Sequence, residues 1–311
     1  MQQDMKYIYQ VYEDGSFSKA AEHLYITQPA LSIAISKIEA SLGMTLFDRK
    51  RHPLQPTAAG MAYIDTIRKI QELEDDLDRQ IGDMKDLNCG SLKIGGSHYL
   101  NAYILPEILS GFSHKYPGIQ IQLVEASSAA LADMLSDRNL DFTFSCNEKF
   151  IHNFECYPVF HDHILLAVPK ELEVNSRLAD YALTAQDVID KKHLSDQCPS
   201  VPLTEFQDIE YLLLDKGNNL YDRSMQLFRD AGFTPKIKMT LSQLVTAYHL
   251  AAHNFAAAFI CDHLVRDPAV ALNFYKIESN LNQRKFYLLL PGRAYTSLAV
   301  KAFVQYFLLH V

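Results

Sequence analysis

The sequence predicts a multidomain protein: a small all-α unit of three helices, a long connecting helix, and an α/β domain built as two lobes. Three observations carry this reading. Apolar residues recur at helical spacing through the first sixty residues, broken by turn signals. A helical stripe without proline then runs to residue 87. Beyond it, alternating runs interleave with helical ones, in two successive series.

At 311 residues, with 48% hydrophobic content and only 12 Gly and 12 Pro, the chain has room for roughly two or three domains with cores of their own. Its five cysteines (Cys89, Cys146, Cys156, Cys198, Cys261) never form a CxxC pair. That excludes a disulfide framework or a zinc ribbon and fits a reducing compartment. The start lacks a basic segment followed by an apolar one, and no run of about 18 apolar residues occurs, so the expected location is cytoplasmic. The net charge of −8 excludes a surface that is basic all over. Residues 1–60 nevertheless escape the acidic bias, with six basic against six acidic residues, whereas 61–87 carry four against eight. Arg49, Lys50 and Arg51 fall in one tripeptide of that neutral block.

Met5, Ile8, Tyr9 and Tyr12 share one helical face, and Gly15 ends that helix. Ser18 is the expected cap of a second short helix, whose Ala20, Ala21 and Leu24 allow another helix to cross closely. Tyr25-Ile26 reads as a tight turn. Thr27 is placed to cap a third helix and Pro29 sits in its first turn, where a missing N–H costs nothing. Leu31, Ile35, Ile38 and Leu42 face inward, while Gln28, Ser32 and Ser36 align opposite, beside Pro29, Ile33 and Lys37. Two short helices joined by such a turn, the second offering small polar side chains, suit entry into a DNA major groove. A small protein-interaction domain with a basic loop satisfies the same pattern.

The run Gly15-Ser16-Phe17-Ser18-Lys19-Ala20-Ala21, then Gln28-Pro29-Ala30-Leu31-Ser32, Leu42-Gly43, Leu46-Phe47-Asp48-Arg49 and Thr57-Ala58-Ala59-Gly60, resembles the LysR-type transcriptional regulators. The resemblance implies that residues 1–60 form a winged helix-turn-helix with the third helix as recognition helix. Leu46 to Gln55 becomes the wing, with Lys50-Arg51-His52 at its tip and Arg49, Lys50 and Arg51 on phosphates. Gln28, Ser32 and Ser36 become the candidates for base edges. Ile33 departs from the basic or polar residue often found there and points to a thymine methyl. Ser18, Pro29 and Lys37 complete the expected DNA-binding set. Double-stranded DNA is thus the main partner, with RNA polymerase a further one.

In residues 58–87, Met61, Ile64, Ile67, Ile70, Leu73, Leu77, Ile81, Met84 and Leu87 repeat every three or four positions. A narrow stripe flanked by charges needs a partner to cover it. A second copy is the simplest, with Ile64 to Ile81 as the dimerisation face; the chain's own following domain is the other. The resemblance favours a homodimer, or a dimer of dimers, reading paired half-sites.

Asn88-Cys89-Gly90 reads as a break. Leu92 and Ile94, then Ile119 to Leu123, Leu140 to Phe144, Ile164 to Val168, Tyr211 to Leu214, Ile237 to Met239 and Ala256 to Ile260 read as strands with helices between them, which implies parallel sheets. Thr184 and Asp187 signal a helix cap, and Ser297 the start of the last helix. Motifs such as Tyr116-Pro117-Gly118 and Leu166-Ala167-Val168-Pro169 resemble the family's effector domain, which is built like periplasmic solute-binding proteins. On that template residues 91–311 form the domain, with lobe I at 91–161 and 268–311, lobe II at 162–267, and crossings near 160–163 and 265–269.

A small polar or anionic effector fits between such lobes, where strand ends meet helix N-termini. The expected turns are Ser97-His98-Tyr99, Ser127-Ser128 and Ser145-Cys146-Asn147 on one side, with Asn218-Asn219, Thr240 and Ser242 on the other. Ala252-His253-Asn254-Phe255 stands where the family often has a glycine pair. Motifs of hydrolases, metalloproteases and nucleotide-binding proteins are missing, so no enzyme and no cofactor is expected. A solute-binding protein or enzyme on the same fold is the competing reading. His161/His163 and His249/His253 are spaced for a metal but lack a Cys, Asp or Glu at ligand spacing, so no metal site is expected.

Overall fold

The computed structural model describes residues 3–51, 53–83, 90–292 and 295–311. It divides into two compact units, residues 1–84 and 85–311. His52, Met84, Leu87, Asn88 and Cys89, for which the sequence sets expectations, lie outside the described residues.

In the first unit, α1 (Gln3–Asp14), α2 (Phe17–His23) and α3 (Gln28–Leu42) are followed by a two-stranded wing, β1 (Phe47–Asp48) and β2 (Gln55–Pro56), and by α4 (Ala58–Asp83). The cap of α2 is Ser16, not Ser18: its extended backbone lets the hydroxyl accept the Lys19 N–H, and Ser18 lies inside the helix. Thr27 caps α3 as expected, accepting from Ala30 N, with Pro29 in the first turn. Tyr25 in the α2–α3 turn takes a positive φ of 56° and is almost wholly exposed. Leu31, Ile35 and Ile38 are buried beneath α3 together with Ile8, Val11, Ala20 and Ala21. Leu42 is half-exposed, because the last turn of α3 runs past the edge of the small core it follows in sequence.

The first turns of α4 belong to this core through Ile64 and Ile67. Thr57 fixes the start of the helix: its hydroxyl donates to Thr45 O and accepts from Gly60 N, and its own N–H donates to Leu46 O. Gly60 lies so close to the wing that a Cβ there would stand 2.0 Å from Leu46 O. Further along, the stripe emerges into solvent, with Leu73 68%, Leu77 54% and Ile81 45% exposed.

Among its described residues the second unit holds nine strands. Its first sheet contains β3 (Gly90–Gly96), β4 (Ile119–Glu125), β5 (Phe142–Ser145) and the start of β6 (Glu155–Pro169). Around these lie α5 (Leu105–Lys115), α6 (Ser128–Ser136) and the short α7 (Glu148–Ile151). The short α8 (Val174–Arg177) and α9 (Ala185–Ile189) precede β7 (Glu210–Leu214), α10 (Asn219–Asp230), β8 (Lys236–Leu241), α11 (Leu244–Ala252) and β9 (Ala257–Cys261). Then β10 (Leu272–Tyr275), β11 (Gln283–Leu290) and α12 (Leu298–His310) close the chain. Strands β3, β4 and β5 are parallel, as are β7, β8 and β9, since each is reached by a helical crossover.

The sheets are mixed rather than purely parallel. Strand β6 runs antiparallel to β11 through His163 and antiparallel to β9 from Ile164, so one continuous strand crosses from lobe I to lobe II. The return comes later than the sequence reading placed it: β10 still pairs with β6 in the second sheet, and only β11 rejoins the first. Residues 268–275 therefore pack with lobe II, because the apolar side chains of β10 have their partners there. Asn254 explains the missing glycine pair, holding the left-handed turn itself at φ 60°.

Gly60→Ala is expected to destabilise the first unit by about 1–3 kcal/mol, since the wing must move to admit the methyl group. Gly82→Ala, in a part of α4 where a Cβ meets nothing within 4 Å, is expected to stabilise by about 0.5–1 kcal/mol. Urea denaturation of both variants, followed by circular dichroism, checks the contrast in sign.

Candidate DNA interface and interlobe cleft

Helix α3 presents Gln28, Pro29, Ile33, Ser36 and Lys37 to solvent, with Ser32 half-buried; Ile33 is 58% exposed, which is unusual for its type. Ser18 is also exposed, on the first turn of α2. The helix is anchored to the wing by the buried Glu39, whose Oε1 accepts from Leu46 N at 2.7 Å and Phe47 N at 3.4 Å. Its Oε2 accepts from Arg49 Nη2 at 3.1 Å.

The three wing cations differ in what already holds them. Arg49 also donates to Ser36 Oγ at 3.1 Å and lies 5.1 Å from the Phe17 ring centroid. Arg51 faces Asp48 at 3.3 Å and donates to Gln55 Oε1 at 2.8 Å. Lys50 is exposed at the tip. Arg49 thus clamps the wing to α3, and Ser36 spends a lone pair on it. Glu39 reads in the sequence as an ordinary helix-surface carboxylate, until the fold brings the wing beneath it.

In the second unit, most of the expected cleft residues converge. A recess of about 80 Å³ is lined by Ser97, His98, Tyr99, Ser128, Ser145 and Cys146 from lobe I, and by Asn218, Asn219 and Ser242 from lobe II. It shares Ser97, His98, Ser128, Asn218 and Ser242 with an outer cavity of about 560 Å³, to which Ser127 adds. Thr240, exposed on β8, and Asn147 line neither. Asn147 instead caps α7, accepting from Lys149 N at 3.1 Å.

Several hydroxyls and amides here also serve their own helices. Ser127 caps α6 through Ala130 N, and Asn218 caps α10 through Leu220 N. His98 faces the carboxylate of Glu125 at 3.2 Å, so it meets any ligand as half of a pair rather than as a lone cation. Tyr99 is different. Its buried hydroxyl has no hydrogen-bond partner, and burial pushes the phenol well above its ordinary pKa, so at neutral pH it is a donor.

The floor was not foreseen. Arg284 on β11 stands opposite Asp162 on β6; its Nε donates to Oδ1 at 2.8 Å and its Nη2 to Oδ2. Both residues are buried, at 5% and 0% exposure. Burial opposes the guanidinium charge, and Asp162 more than reverses this, holding the arginine well above its usual pKa. Phe286, 5.2 Å from the guanidinium, and Tyr99 wall it in. Ties between the lobes include Cys146 Sγ to Asn219 Oδ1 at 3.4 Å, and Arg223 on α10 to the carbonyls of Leu281 and Gln283.

Comparison with known proteins agrees with this geometry. Residues 2–61 match the family model for bacterial regulatory helix-turn-helix proteins of the lysR family, and residues 85–310 match the model for the LysR substrate binding domain. An uncharacterized HTH-type transcriptional regulator of Bacillus subtilis, YcgK, is 29% identical over 97% of this chain and 92% of its own. A probable RuBisCO transcriptional regulator of Trichormus variabilis is 25% identical over 94% of this chain and 83% of its own. Among solved structures, full-length CbnR complexed with its target DNA superposes with a TM-score of 0.62 at 20% identity, over 99% of each chain. A full-length OxyR from Pseudomonas aeruginosa gives 0.65 at 17% identity, over 98% and 97%. No described helix is long and apolar enough to cross a membrane.

Asp162→Asn leaves a buried guanidinium without its counter-charge and is expected to cost about 3–5 kcal/mol. A fall in the urea midpoint of the second unit's transition measures it, and an unchanged midpoint would show that Arg284 finds water instead.

Proposed function

We propose that this chain, which belongs to the LysR family of bacterial transcriptional regulators, reads paired DNA half-sites as a dimer and adjusts that reading to a small polar effector held between its lobes. The observation that carries the proposal is the divided face of α3. Leu31, Ile35 and Ile38 are sealed into the core while Gln28, Pro29, Ile33 and Lys37 stand in solvent.

A helix held from beneath and bare above can lie in a major groove. Gln28 reads adenine, Ile33 meets a thymine methyl, and Ser32 serves either polarity. Lys50 supplies phosphate affinity, and Arg49 acts chiefly by positioning the wing.

Dimerisation falls to α4. Leu73, Leu77 and Ile81 continue the stripe that Ile64 and Ile67 bury, Ile70 marks the handover, and a second copy covers them as a coiled coil does. In the cleft, hydroxyls and amides outnumber apolar groups along the shared wall, and the orphaned Tyr99 hydroxyl waits for an acceptor. A ligand with a carbonyl or carboxylate oxygen supplies one. Such a ligand shifts the regulator only if it favours one placement of the lobes over another.

Binding of the full chain to fragments of its source genome, titrated with salt, tests the DNA assignment. Lys50→Ala is expected to weaken binding evenly across sequences and lower the salt slope by about one; Gln28→Ala is expected to cost about 1–3 kcal/mol at one base position. Retention that ignores salt would sink it. Leu73→Asp with Leu77→Asp is expected to convert dimers to monomers in sedimentation velocity, with folded heads retained by circular dichroism.

A further inference from the structure

A second cluster of ionisable side chains lies away from the cleft, where β6 passes from one lobe to the other. His163 is the residue of β6 at the crossing. Asp262 directly follows β9, and His193 sits on a 3-10 turn, Lys192–Leu194. One ligand atom from each falls within 4.8 Å of the others. The Asp262 Oδ2 lies 3.0 Å from His193 Nε2 and 3.4 Å from His163 Nδ1.

Hydrogen bonding accounts for only part of this arrangement, through His193 Nε2 and Oδ2 at 3.0 Å. His163 Nδ1 is buried and makes no hydrogen bond, although a carboxylate oxygen is near. His193 is 3% exposed, and its other ring nitrogen has no partner. The Asp262 carboxylate is meanwhile fixed from behind: Oδ1 accepts the backbone N–H groups of His163 and His263, both at 3.0 Å, and lies 3.0 Å from the ring Nδ1 of His263. That leaves Oδ2 aimed between two imidazoles. Outer bonds that orient a carboxylate are what metal sites use.

We propose that His163, His193 and Asp262 form a binding site for a divalent transition-metal ion of the zinc type at the lobe crossing. Two imidazoles and one carboxylate are a ligand set that zinc accepts, with the fourth position left to water or another ligand. Ligand atoms about 2.0–2.1 Å from a tetrahedral ion stand about 3.4 Å from each other. The 3.4 Å from His163 Nδ1 to Oδ2 matches that edge, and the 3.0 Å from His193 Nε2 falls a few tenths of an ångström short of it. An adjoining cavity of about 260 Å³ gives an exogenous ligand room. Of the cations lining it, Arg266 is turned to the carbonyl of Tyr103 and Lys191 is exposed at its edge. Cys261 takes no part, since its sulfur faces Arg284.

The site has a route to the cleft. His263 meets Phe160 edge-on at 5.9 Å, Phe160 stacks on Phe286 at 4.7 Å, and Phe286 lines the recess. An ion joining β6, the end of β9 and the His193 turn stiffens the crossing on which lobe movement depends.

Titration of the untagged full chain with Co²⁺ alone, followed by visible absorption and by equilibrium dialysis, tests the site. One ion per chain is expected, with tetrahedral d–d bands, and Zn²⁺ is expected to displace it. His163→Ala and Asp262→Asn are expected to weaken binding at least about 10- to 100-fold, and His161→Ala, a neighbour outside the ligand set, to leave it unchanged. His163 is partly exposed, so its variant keeps the test open if Asp262→Asn does not fold. Uptake below one ion per chain, or equal uptake by wild type and His163→Ala, overturns the proposal.

Discussion

Both sheets of the effector domain are hydrogen-bonded to the same strand. The first part of β6 belongs to lobe I through β11, and from Ile164 it belongs to lobe II through β9 and β10. Neither lobe can be repositioned without turning the backbone between His163 and Ile164. The buried pair Asp162–Arg284 sits one residue before that point and ties β6 to β11, so bending is confined to a short stretch. The cleft floor, the histidine cluster and the return of the chain are all arranged around this one passage.

The two units solve the problem of transmitting a signal with different stiffness. In the head, Glu39 ties α3 to the wing by taking two wing N–H groups and one guanidinium, and Ser36 takes the same guanidinium. In the function proposed above, a readout surface tied in this way favours regulation that moves whole heads over regulation that reshapes one. In the second unit, Arg223 and Arg266 reach from lobe II to main-chain carbonyls of the other side, contacts that separate without exposing apolar core. The soft joints are polar and the hard ones are buried.

Much of this was legible in the residues. Helical spacing located α1 to α4, Thr27 and Pro29 fixed the start of α3, and the Thr184/Asp187 capping box marked α9. The cleft turns were found because each follows a strand and precedes a helix, a local signal. What escaped was long-range. Arg284 looks like a surface charge in an alternating strand, and only its cross-strand partner reveals a buried pair. His163, His193 and Asp262 are separated by tens of residues and share no spacing rule. Leu42 erred the other way, since periodicity continues beyond the core it was read to face. β10 is four residues long, too short for alternation to stand out.

The handover along α4 sets an angle as well as a contact. Ile64 and Ile67 lock the rotation of the helix about its own axis to the head, while Leu73 onward faces whatever lies alongside. Each residue of a helix turns the chain by about 100° and advances it by about 1.5 Å. In the dimer proposed above, one residue inserted between Ile67 and Leu73 would therefore swing the recognition surface around the paired axis by more than a quarter circle. The few residues of that interval would then be the gauge that sets the phase of one head against the other along the duplex.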